Sequence, residues 1–315
     1  MKKILLIGGS GYIGLRISKH LSENGFKVFI LCRSIPKTTS WESFISGFII
    51  GDITKNEVLD KLIDKEFDIA IHLVSLNNQN SEGDPDYVSS VNVMPTWKIL
   101  KLLTKKGLKK FIYFSTIHVY GSLPNTIINE DFVTAPQNAY GLTHLLSENI
   151  CNYFNETTKT DCINIRLSNS YGSPVFRDTD CWWLVLNDFC KTAYQKGKII
   201  IKSDGTPLRD FIHWHDMVNA LELIIKNSKH NIYHLASGET VSILELASIV
   251  KDVYHKRYGK QINIFLPDRV NRPRLKNKEK YTLSIKRLND IGFKKTKGID
   301  FGINEIFDYM ENLST

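Results

Sequence analysis

The first residues of the chain join a short apolar run to a glycine-spaced turn. Ile4 to Ile7 are apolar, and Gly8, Gly11 and Gly14 follow before apolar residues recur at helical spacing. This order predicts a buried strand that leads through a turn into a helix. The first glycine would permit the tight turn, the second would let a pyrophosphate approach the backbone, and the third would let the helix pack on the strand. With phosphates at the helix N-terminus, the segment predicts dinucleotide binding.

The end of the second predicted strand indicates which dinucleotide is bound. The apolar run Phe26 to Leu31 ends in Cys32-Arg33-Ser34. A carboxylate at this place would bond the ribose hydroxyls of NAD, whereas an arginine can pair with the 2′-phosphate of NADP. We therefore expect Arg33 and Ser34 to contact NADP(H), with NAD(H) as the alternative.

Composition restricts the class of protein. The chain has 315 residues, 42% of them hydrophobic, and a net charge of +8. It can bury a sizeable core, and no apolar stretch approaches the ~20 residues that span a bilayer. The five cysteines form no C-x-x-C pair, which predicts reduced thiols in the cytoplasm and no metal site. Lysine and arginine are dispersed and no nucleic-acid motif occurs, so the charge favours small phosphate-bearing ligands over nucleic acid.

Apolar runs alternate with longer stretches of helical spacing. The pattern predicts an α/β protein with a Rossmann-type, doubly wound parallel sheet. The further predicted strands are Phe48 to Ile50, Ile69 to Val74, Phe111 to Phe114, Ile163 to Leu167 and Ile232 to Leu235. The predicted helices are Asn56 to Asp64, Asp86 to Lys105, Ala139 to Asn155, Asp216 to Asn227 and Ile243 to Tyr254.

The rhythm of strands and helices changes after Tyr171, where prolines and Trp182-Trp183 mark less regular segments. We expect a dinucleotide-binding domain over 1–171, with returning segments near 212–236. A smaller, interleaved substrate-binding domain would take 172–211 and 237–315. The helices around Val88 to Leu103 and Leu142 to Phe154 carry apolar residues on more than one face, which predicts a homodimer.

Two further segments carry reactive side chains. Phe111-Ile112-Tyr113-Phe114-Ser115-Thr116-Ile117-His118-Val119-Tyr120-Gly121 ends a strand with hydroxyls and a histidine, and Pro136-Gln137-Asn138-Ala139-Tyr140-Gly141-Leu142-Thr143-His144 opens a helix with a tyrosine. With these segments the chain resembles the extended short-chain dehydrogenase/reductase family. The resemblance covers nearly the whole length and is strongest to the nucleotide-sugar epimerases, dehydratases and ketoreductases of that family.

The resemblance implies a set of binding residues. Substrate phosphates would be contacted by Asn169, in a segment similar to the family's Arg-x-x-Asn stretch, and by Arg209 of Arg209-Asp210-Phe211. Base recognition would come from Val175 to Lys202 and Phe265 to Lys280. The implied cofactor contacts are Gly8, Ser10, Gly11, Tyr12, Ile13, Gly14, Asp52, Ile53, Leu73, Val74, Ser75, Asn92, Tyr140 and His144.

The resemblance also implies the chemistry. Reduction of a ketone creates an alkoxide, so Tyr140 would supply a proton and Thr116 would share the developing charge. The family pattern is Tyr-x-x-x-Lys, but His144 stands at the lysine position, and it would bond the nicotinamide ribose without lowering the tyrosine pKa as a cation does. His118 would bond the substrate or act on it as an acid or base. Because Ile117-His118 replaces the Asp-Glu pair of similar dehydratases, dehydration is not expected.

The missing cation favours reduction, which starts from protonated tyrosine. We therefore expect an NADP(H)-dependent reductase of a 4-keto nucleotide sugar in deoxysugar or surface-polysaccharide synthesis. The alternatives are an NAD(P)-dependent nucleotide-sugar epimerase and a non-catalytic protein that binds a nucleotide sugar or a dinucleotide.

Overall fold

The computed structural model describes residues 1–35, 44–267 and 280–314. Its strands are β1 (Lys3–Ile7), β2 (Lys27–Cys32), β3 (Gly47–Ile50), β4 (Ile69–His72), β5 (Lys110–Thr116), β6 (Ile127–Ile128), β7 (Asp161–Leu167), β8 (Asn169–Tyr171), β9 (Lys198–Ile200), β10 (Leu208–His213), β11 (Ile232–Leu235), β12 (Thr240–Ser242), β13 (Asn263–Phe265) and β14 (Thr282–Leu283). Its helices are α1 (Tyr12–Glu23), α2 (Glu57–Ile63), α3 (Pro85–Asn92), α4 (Met94–Leu103), α5 (Ala139–Thr157), α6 (Val185–Lys196), α7 (Trp214–Asn227), α8 (Ile243–Tyr258), α9 (Lys286–Asn289) and α10 (Ile299–Ser314).

The main sheet confirms the predicted Rossmann-type architecture. Seven strands, all parallel, lie in the order β11-β7-β5-β4-β1-β2-β3. The order of strands reverses between β1 and β4, and open α/β sheets bind ligands beyond the carboxyl ends of the strands at such a point. The glycine turn follows β1 and Leu73 to Ser75 follow β4, so both flank this point.

Helices cover the sheet on both faces, which explains the nearly continuous apolar runs of its strands. Ile4 and Leu6 of β1 face a core that includes residues of α1 and α7. Leu5 and Ile7 face the opposite core, which includes residues of α2, α4 and α5. All four of these β1 side chains are completely buried.

A third core lies under the C-terminal part of the chain. It joins residues of α6, α8 and α10 with Tyr171 and Phe211. Beside it stands a small sheet, β12-β10-β8, in which β10 is parallel to β8 and antiparallel to β12. Because α7 and β11 return to the main sheet between these elements, the chain passes back and forth between the cores; the division into two domains stays a prediction.

The structure differs from the predicted elements at two places near the site. The helix expected over Asp86 to Lys105 is broken at Val93, because Pro95 in the first turn of α4 has no N–H to continue the preceding helix. The strand expected over Ile69 to Val74 ends at His72. Leu73 to Ser75 instead form an irregular segment, whose side chains can face the ligand side of the sheet.

Candidate active site

The glycine turn after β1 has the geometry that its spacing predicts. Gly8 has φ +83°, a value that favours glycine, and its N–H donates to Leu31 O at 2.9 Å. A Cβ on Gly14 would lie 2.6 Å from Gly8 O and from Gly9 Cα, so α1 packs directly on the turn. A Cβ on Gly11 would meet only Gly8 O, at 3.6 Å. The second glycine therefore faces open space, where a pyrophosphate can approach the backbone.

A cleft of about 310 Å³ begins at this turn and lies at the carboxyl ends of β1, β2, β3 and β4. The N-cap of α1 is Gly11, which has no side chain to cap the helix, so the first N–H groups of α1 can bind an anion. These observations fit a bound nicotinamide dinucleotide. The residues that line the cleft are Gly8, Ser10, Gly11, Leu31, Cys32, Arg33, Gly51, Asp52, Ile53, Thr54, Leu73, Val74, Ser75, Leu76, Tyr87 and Val91.

Arg33 and Asp52 both line the far end of this cleft. Both side chains are exposed, and Asp52 accepts hydrogen bonds from the N–H and hydroxyl of Thr54, each at 2.9 Å. The hydrogen bond from the Thr54 backbone, aided by the Arg33 charge, lowers the pKa of Asp52. The cleft therefore ends in an arginine and an ionised carboxylate, while Ser34 lies outside its lining.

Several residues expected to touch the cofactor lie behind the cleft wall. The Tyr12 hydroxyl donates to Gly172 O at 2.9 Å, and Ile13 packs against the core on the α1 face. Asn92 is completely buried: its oxygen accepts from Leu76 N at 2.8 Å, and its amide donates to Ser81 and Thr143. The side chains of these residues hold the site in place rather than line it.

Helix α5 carries Tyr140 into the site in its first turn. The Asn138 side chain caps this helix by accepting from Gly141 N at 2.7 Å, and Ala139 N donates to Glu82. A Cβ on Gly141 would lie 2.5 Å from His118 O, so the start of the helix lies directly against the segment after β5. This close approach puts the Tyr140 and His118 rings 5.6 Å apart, edge to face.

A buried ion pair holds the same face of α5 against the sheet. Glu148, two turns after Tyr140, accepts from Ser115 Oγ at 2.6 Å and from Arg166 Nε and Nη2 at 3.0 and 2.7 Å. Arg166 also donates to the Tyr120 hydroxyl at 2.8 Å. Bidentate pairs of this kind fix orientation as well as charge, and they fix the rotation of the helix that bears the tyrosine.

The Tyr140 hydroxyl lies close to the hydroxyls of Thr116 and Ser75. Burial raises the pKa of Tyr140 above its usual range, and these two hydroxyls oppose the rise. Thr116 ends β5 and is nearly buried; its Oγ1 also accepts from His118 N at 3.2 Å. The structure thus brings the two expected groups, Tyr140 and Thr116, together.

His144, one turn after Tyr140, is buried, and its ring is tilted by 52° against the tyrosine ring with the centroids 4.3 Å apart. Its Nδ1 donates to Tyr140 O at 2.8 Å, so Nδ1 carries the hydrogen and Nε2 is an acceptor. Burial lowers the pKa of His144 to about 4. The side chain at the family's lysine position is therefore neutral and can accept a hydrogen bond from a ribose hydroxyl.

A second cavity, of about 650 Å³, begins at His118, whose ring contacts that of Tyr140. His118 and Arg209 both line it, together with Asn78, Ser122, Asn125, Gln137, Thr206 and Tyr281 among others. Burial lowers the pKa of His118, and the charge of Arg209 lowers it further. This cavity offers a cation for phosphates and neutral polar groups for a sugar.

Asn169 stands beside this cavity without lining it. Its Nδ2 donates to Asp210 O at 2.8 Å, and the Asp210 carboxylate accepts from Ser168, Ser237 and the N–H groups of 237–239. This network fixes β10 next to Arg209. A third cavity of about 300 Å³ continues beyond Arg209 and includes Trp183 and Lys202, so part of the segment Val175 to Lys202 reaches it. Most of Phe265 to Lys280 lies outside the described residues.

Several residues around the site gave no signal in the sequence. Gln137 and Tyr281 line the second cavity, and Tyr87 and Val91 line the cofactor cleft. Ser75 was expected near the cofactor, but its closeness to Tyr140, 65 positions along the chain, gave no signal in the sequence. In the described parts of the chain, no group of three or more His, Cys, Asp or Glu could hold a metal ion, and no helix could cross a membrane.

Comparison with known proteins places this geometry in a family. The sequence profile of the NAD dependent epimerase/dehydratase family matches residues 4–236. The chain is 28% identical to a putative UDP-glucose 4-epimerase of Methanocaldococcus jannaschii, over 98% of both chains. Among solved structures, it resembles a UDP-glucose 4-epimerase of Thermotoga maritima with UDP-glucose (TM-score 0.85, 20% identity, 99% of this chain and 100% of the other). It also resembles a UDP-glucuronic acid 4-epimerase of Bacillus cereus in complex with NAD (TM-score 0.80, 22% identity, 99% and 100%).

Proposed function

We propose that this chain, which belongs to the NAD dependent epimerase/dehydratase family, is a nucleotide-sugar 4-epimerase. The observation that carries the proposal is the position of Tyr140. Its hydroxyl meets Ser75 of the dinucleotide cleft, and its ring meets His118 of the second cavity. A proton-transferring group thus stands between a cofactor site and a cavity suited to a phosphorylated sugar. The chain aligns over nearly its whole length with a relative that is named a 4-epimerase, which supports C4 as the reacting carbon.

The residues of the chain divide the work of such a reaction. Gly8, Gly11 and the start of α1 would hold the dinucleotide, which would supply reversible hydride transfer at C4, with the return to the opposite face of the ketone. Tyr140 would take the proton of the C4 hydroxyl as the ketone forms and give it back afterwards, while Thr116 donates a hydrogen bond to the same oxygen. Arg209 would hold the diphosphate, which leaves the sugar ring free to present either face.

A second candidate is the reduction of a 4-keto nucleotide sugar, which the sequence analysis favours. The specific observation on its side is His144: a neutral imidazole does not help Tyr140 to ionise, and reduction starts from the protonated phenol. We rank this candidate second because the relatives are named 4-epimerases. A place in deoxysugar or surface-polysaccharide synthesis stays a prediction.

The test begins with UDP-glucose, UDP-galactose, UDP-N-acetylglucosamine and UDP-glucuronic acid, each incubated with NAD⁺ or NADP⁺. Proton NMR should show a C4 epimer. UDP-glucose and UDP-galactose should give the same final mixture, and Tyr140→Phe should give no epimer. Absence of an epimer together with stoichiometric oxidation of NADPH by a 4-keto nucleotide sugar would establish the reductase instead. Binding without either reaction would point to a non-catalytic protein.

We infer NADP(H) as the preferred cofactor from Arg33. Its exposed guanidinium lies at the end of β2, lines the cleft and has no ion pair among the described residues. An uncommitted arginine there can pair with a 2′-phosphate. Asp52 opposes this preference, because its carboxylate lies close enough to interact with Arg33; NAD(H), which the Bacillus cereus structure contains, is therefore the alternative.

We infer a homodimer from an exposed apolar face that α4 and α5 share. Trp97 of α4 and Tyr153 of α5 are each about half exposed, with rings 6.4 Å apart, and Leu142 and Leu146 extend the face along α5. Large contiguous apolar surfaces usually mark contacts with another chain. A second copy of the chain fits this face because α4 and α5 would pack against the same two helices of the partner.

The five buried, unpaired cysteines favour a reducing compartment such as the cytoplasm.

A further inference from the structure

Among the residues that the structure describes, no fixed cation stands beside Tyr140. The titratable groups that face it are His144 on its own helix, His118 after β5 and Tyr113 on β5. Both histidines have a lowered pKa and are neutral near pH 7, and Arg209 faces His118 rather than the tyrosine. If Tyr140 is to act as a base, hydrogen bonds must stabilise its phenolate.

Two adjacent strands bring hydroxyls to the tyrosine. β4 and β5 are adjacent and parallel, with His72 opposite Tyr113 where β4 ends. Ser75 lies in the irregular segment after β4 and Thr116 ends β5, so both hydroxyls leave the same edge of the sheet. Tyr140 reaches this edge from α5, and both hydroxyls lie close enough to its own to oppose the rise in its pKa.

The segment that carries Ser75 is held from behind. Leu76 N, the next backbone group, donates to Asn92 Oδ1 at 2.8 Å. Asn92 Nδ2 donates in turn to Thr143 Oγ1 at 3.0 Å, on the helix that carries Tyr140. The buried Asn92 side chain therefore ties the Ser75 segment to the tyrosine helix, which sets the distance between the Ser75 and Tyr140 hydroxyls.

We propose that Ser75 is a further catalytic residue, which donates a hydrogen bond to the Tyr140 phenolate and, with Thr116, does part of the work of the missing cation. Thr116 must turn to the substrate oxygen during hydride transfer, and Ser75 then remains on the tyrosine. Ser75 also lines the dinucleotide cleft, so a role in cofactor binding alone is the competing explanation. The proposal rests on the proposed function only in assigning Tyr140 as the proton-transferring group.

The first experiment compares Ser75→Ala, Ser75→Thr and the unaltered protein in steady-state kinetics at fixed pH. Ser75→Ala should lower kcat about tenfold, since it removes one hydrogen bond from the reacting oxygen. The KM for the nucleotide sugar and the Kd for the cofactor should be unchanged, and Ser75→Thr should restore much of the rate. Ser90→Ala is the matched control, because that hydroxyl donates to Tyr87 O near the cleft and does not reach Tyr140. A raised cofactor Kd with unchanged kcat would overturn the proposal.

The second experiment needs no substrate. In the protein with ¹³C-labelled tyrosine, the ring signal lost in Tyr140→Phe is followed against pH, with circular dichroism to define the folded range. Ser75→Ala should move its titration upward by about one pH unit, or out of the folded range. An unchanged midpoint in Ser75→Ala would overturn the proposal. Since this readout is independent of turnover, failure to find an epimerase activity leaves it intact.

Discussion

The two halves of the candidate site are built in different ways. The dinucleotide cleft is made largely of backbone: Gly8 turns, Gly11 leaves room and the uncapped start of α1 offers N–H groups. The surroundings of Tyr140 are made of side chains from β5, α5 and the segment after β4. The backbone groups of the cleft depend on the spacing of the glycines, so this part of the chain keeps the family's glycine pattern. Around Tyr140 the work is done by side chains, which can be replaced by others, and His144 stands where the family pattern has lysine.

The largest effect is expected from a substitution that disrupts only the catalytic half of the site, the surroundings of Tyr140. Tyr140→Phe removes the hydroxyl but keeps the ring that packs on His144 and His118. We expect kcat to fall about 10²- to 10⁴-fold, the usual contribution of proton transfer by a positioned side chain. Cofactor Kd and melting temperature should stay within error. Retention of most activity would transfer the proton role to His118, the nearest other acid or base.

The next largest effect is expected from a substitution that disrupts only the cofactor half of the site, the dinucleotide cleft. Gly11→Ala adds a methyl group where the protein leaves open space, so the fold should tolerate it while the pyrophosphate does not. We expect about a 10- to 100-fold weaker cofactor Kd, as overpacking a close contact typically gives, with an unchanged melting temperature. Gly14→Ala is the comparison, since its Cβ meets backbone at 2.6 Å and should destabilise the fold itself. Equal melting temperatures for the two variants would contradict this geometry.

A similar effect is expected for the substrate side. Arg209→Ala removes a charge-assisted contact with phosphate, a loss of about 1.5 to 3 kcal/mol in binding. The KM for the nucleotide sugar should rise while cofactor affinity stays the same, and Arg209→Lys should recover part of it. Weaker cofactor binding with an unchanged KM would place Arg209 outside the diphosphate site.

Cofactor choice is the smallest of these expected effects in the unaltered protein, because Asp52 counteracts Arg33. Arg33→Asp should weaken NADPH binding far more than NADH binding, since it removes a phosphate partner and adds repulsion. Titration of both cofactors against both proteins measures this. Tighter binding of NADH than of NADPH to the unaltered protein would show that Asp52 decides the preference.

The same contrast explains what the sequence could predict. The parallel sheet, the glycine turn and the pairing of Tyr140 with Thr116 follow from periodicity and from family motifs. The break at Val93 was missed because helical spacing continues through Pro95, and the short strands β8, β9 and β12 are too brief to show a period. The approach of Ser75 to Tyr140 depends on the path of the irregular segment after β4, which the order of residues alone does not give. Tyr12 and Asn92 were assigned to the cofactor from the family resemblance, and in the structure their side chains bond other parts of the protein.

The central claim is that Tyr140 works without a fixed cation beside it. The most direct measurement is the titration of the Tyr140 ring carbon in ¹³C-tyrosine-labelled protein, assigned by its loss in Tyr140→Phe and repeated in His144→Lys. Burial raises the pKa of Tyr140, so the phenolate should form only above the ordinary tyrosine value of about 10, and the oxidative rate should rise toward alkaline pH. His144→Lys should move both curves to lower pH. A phenolate already present near neutral pH in the unaltered protein would contradict the account.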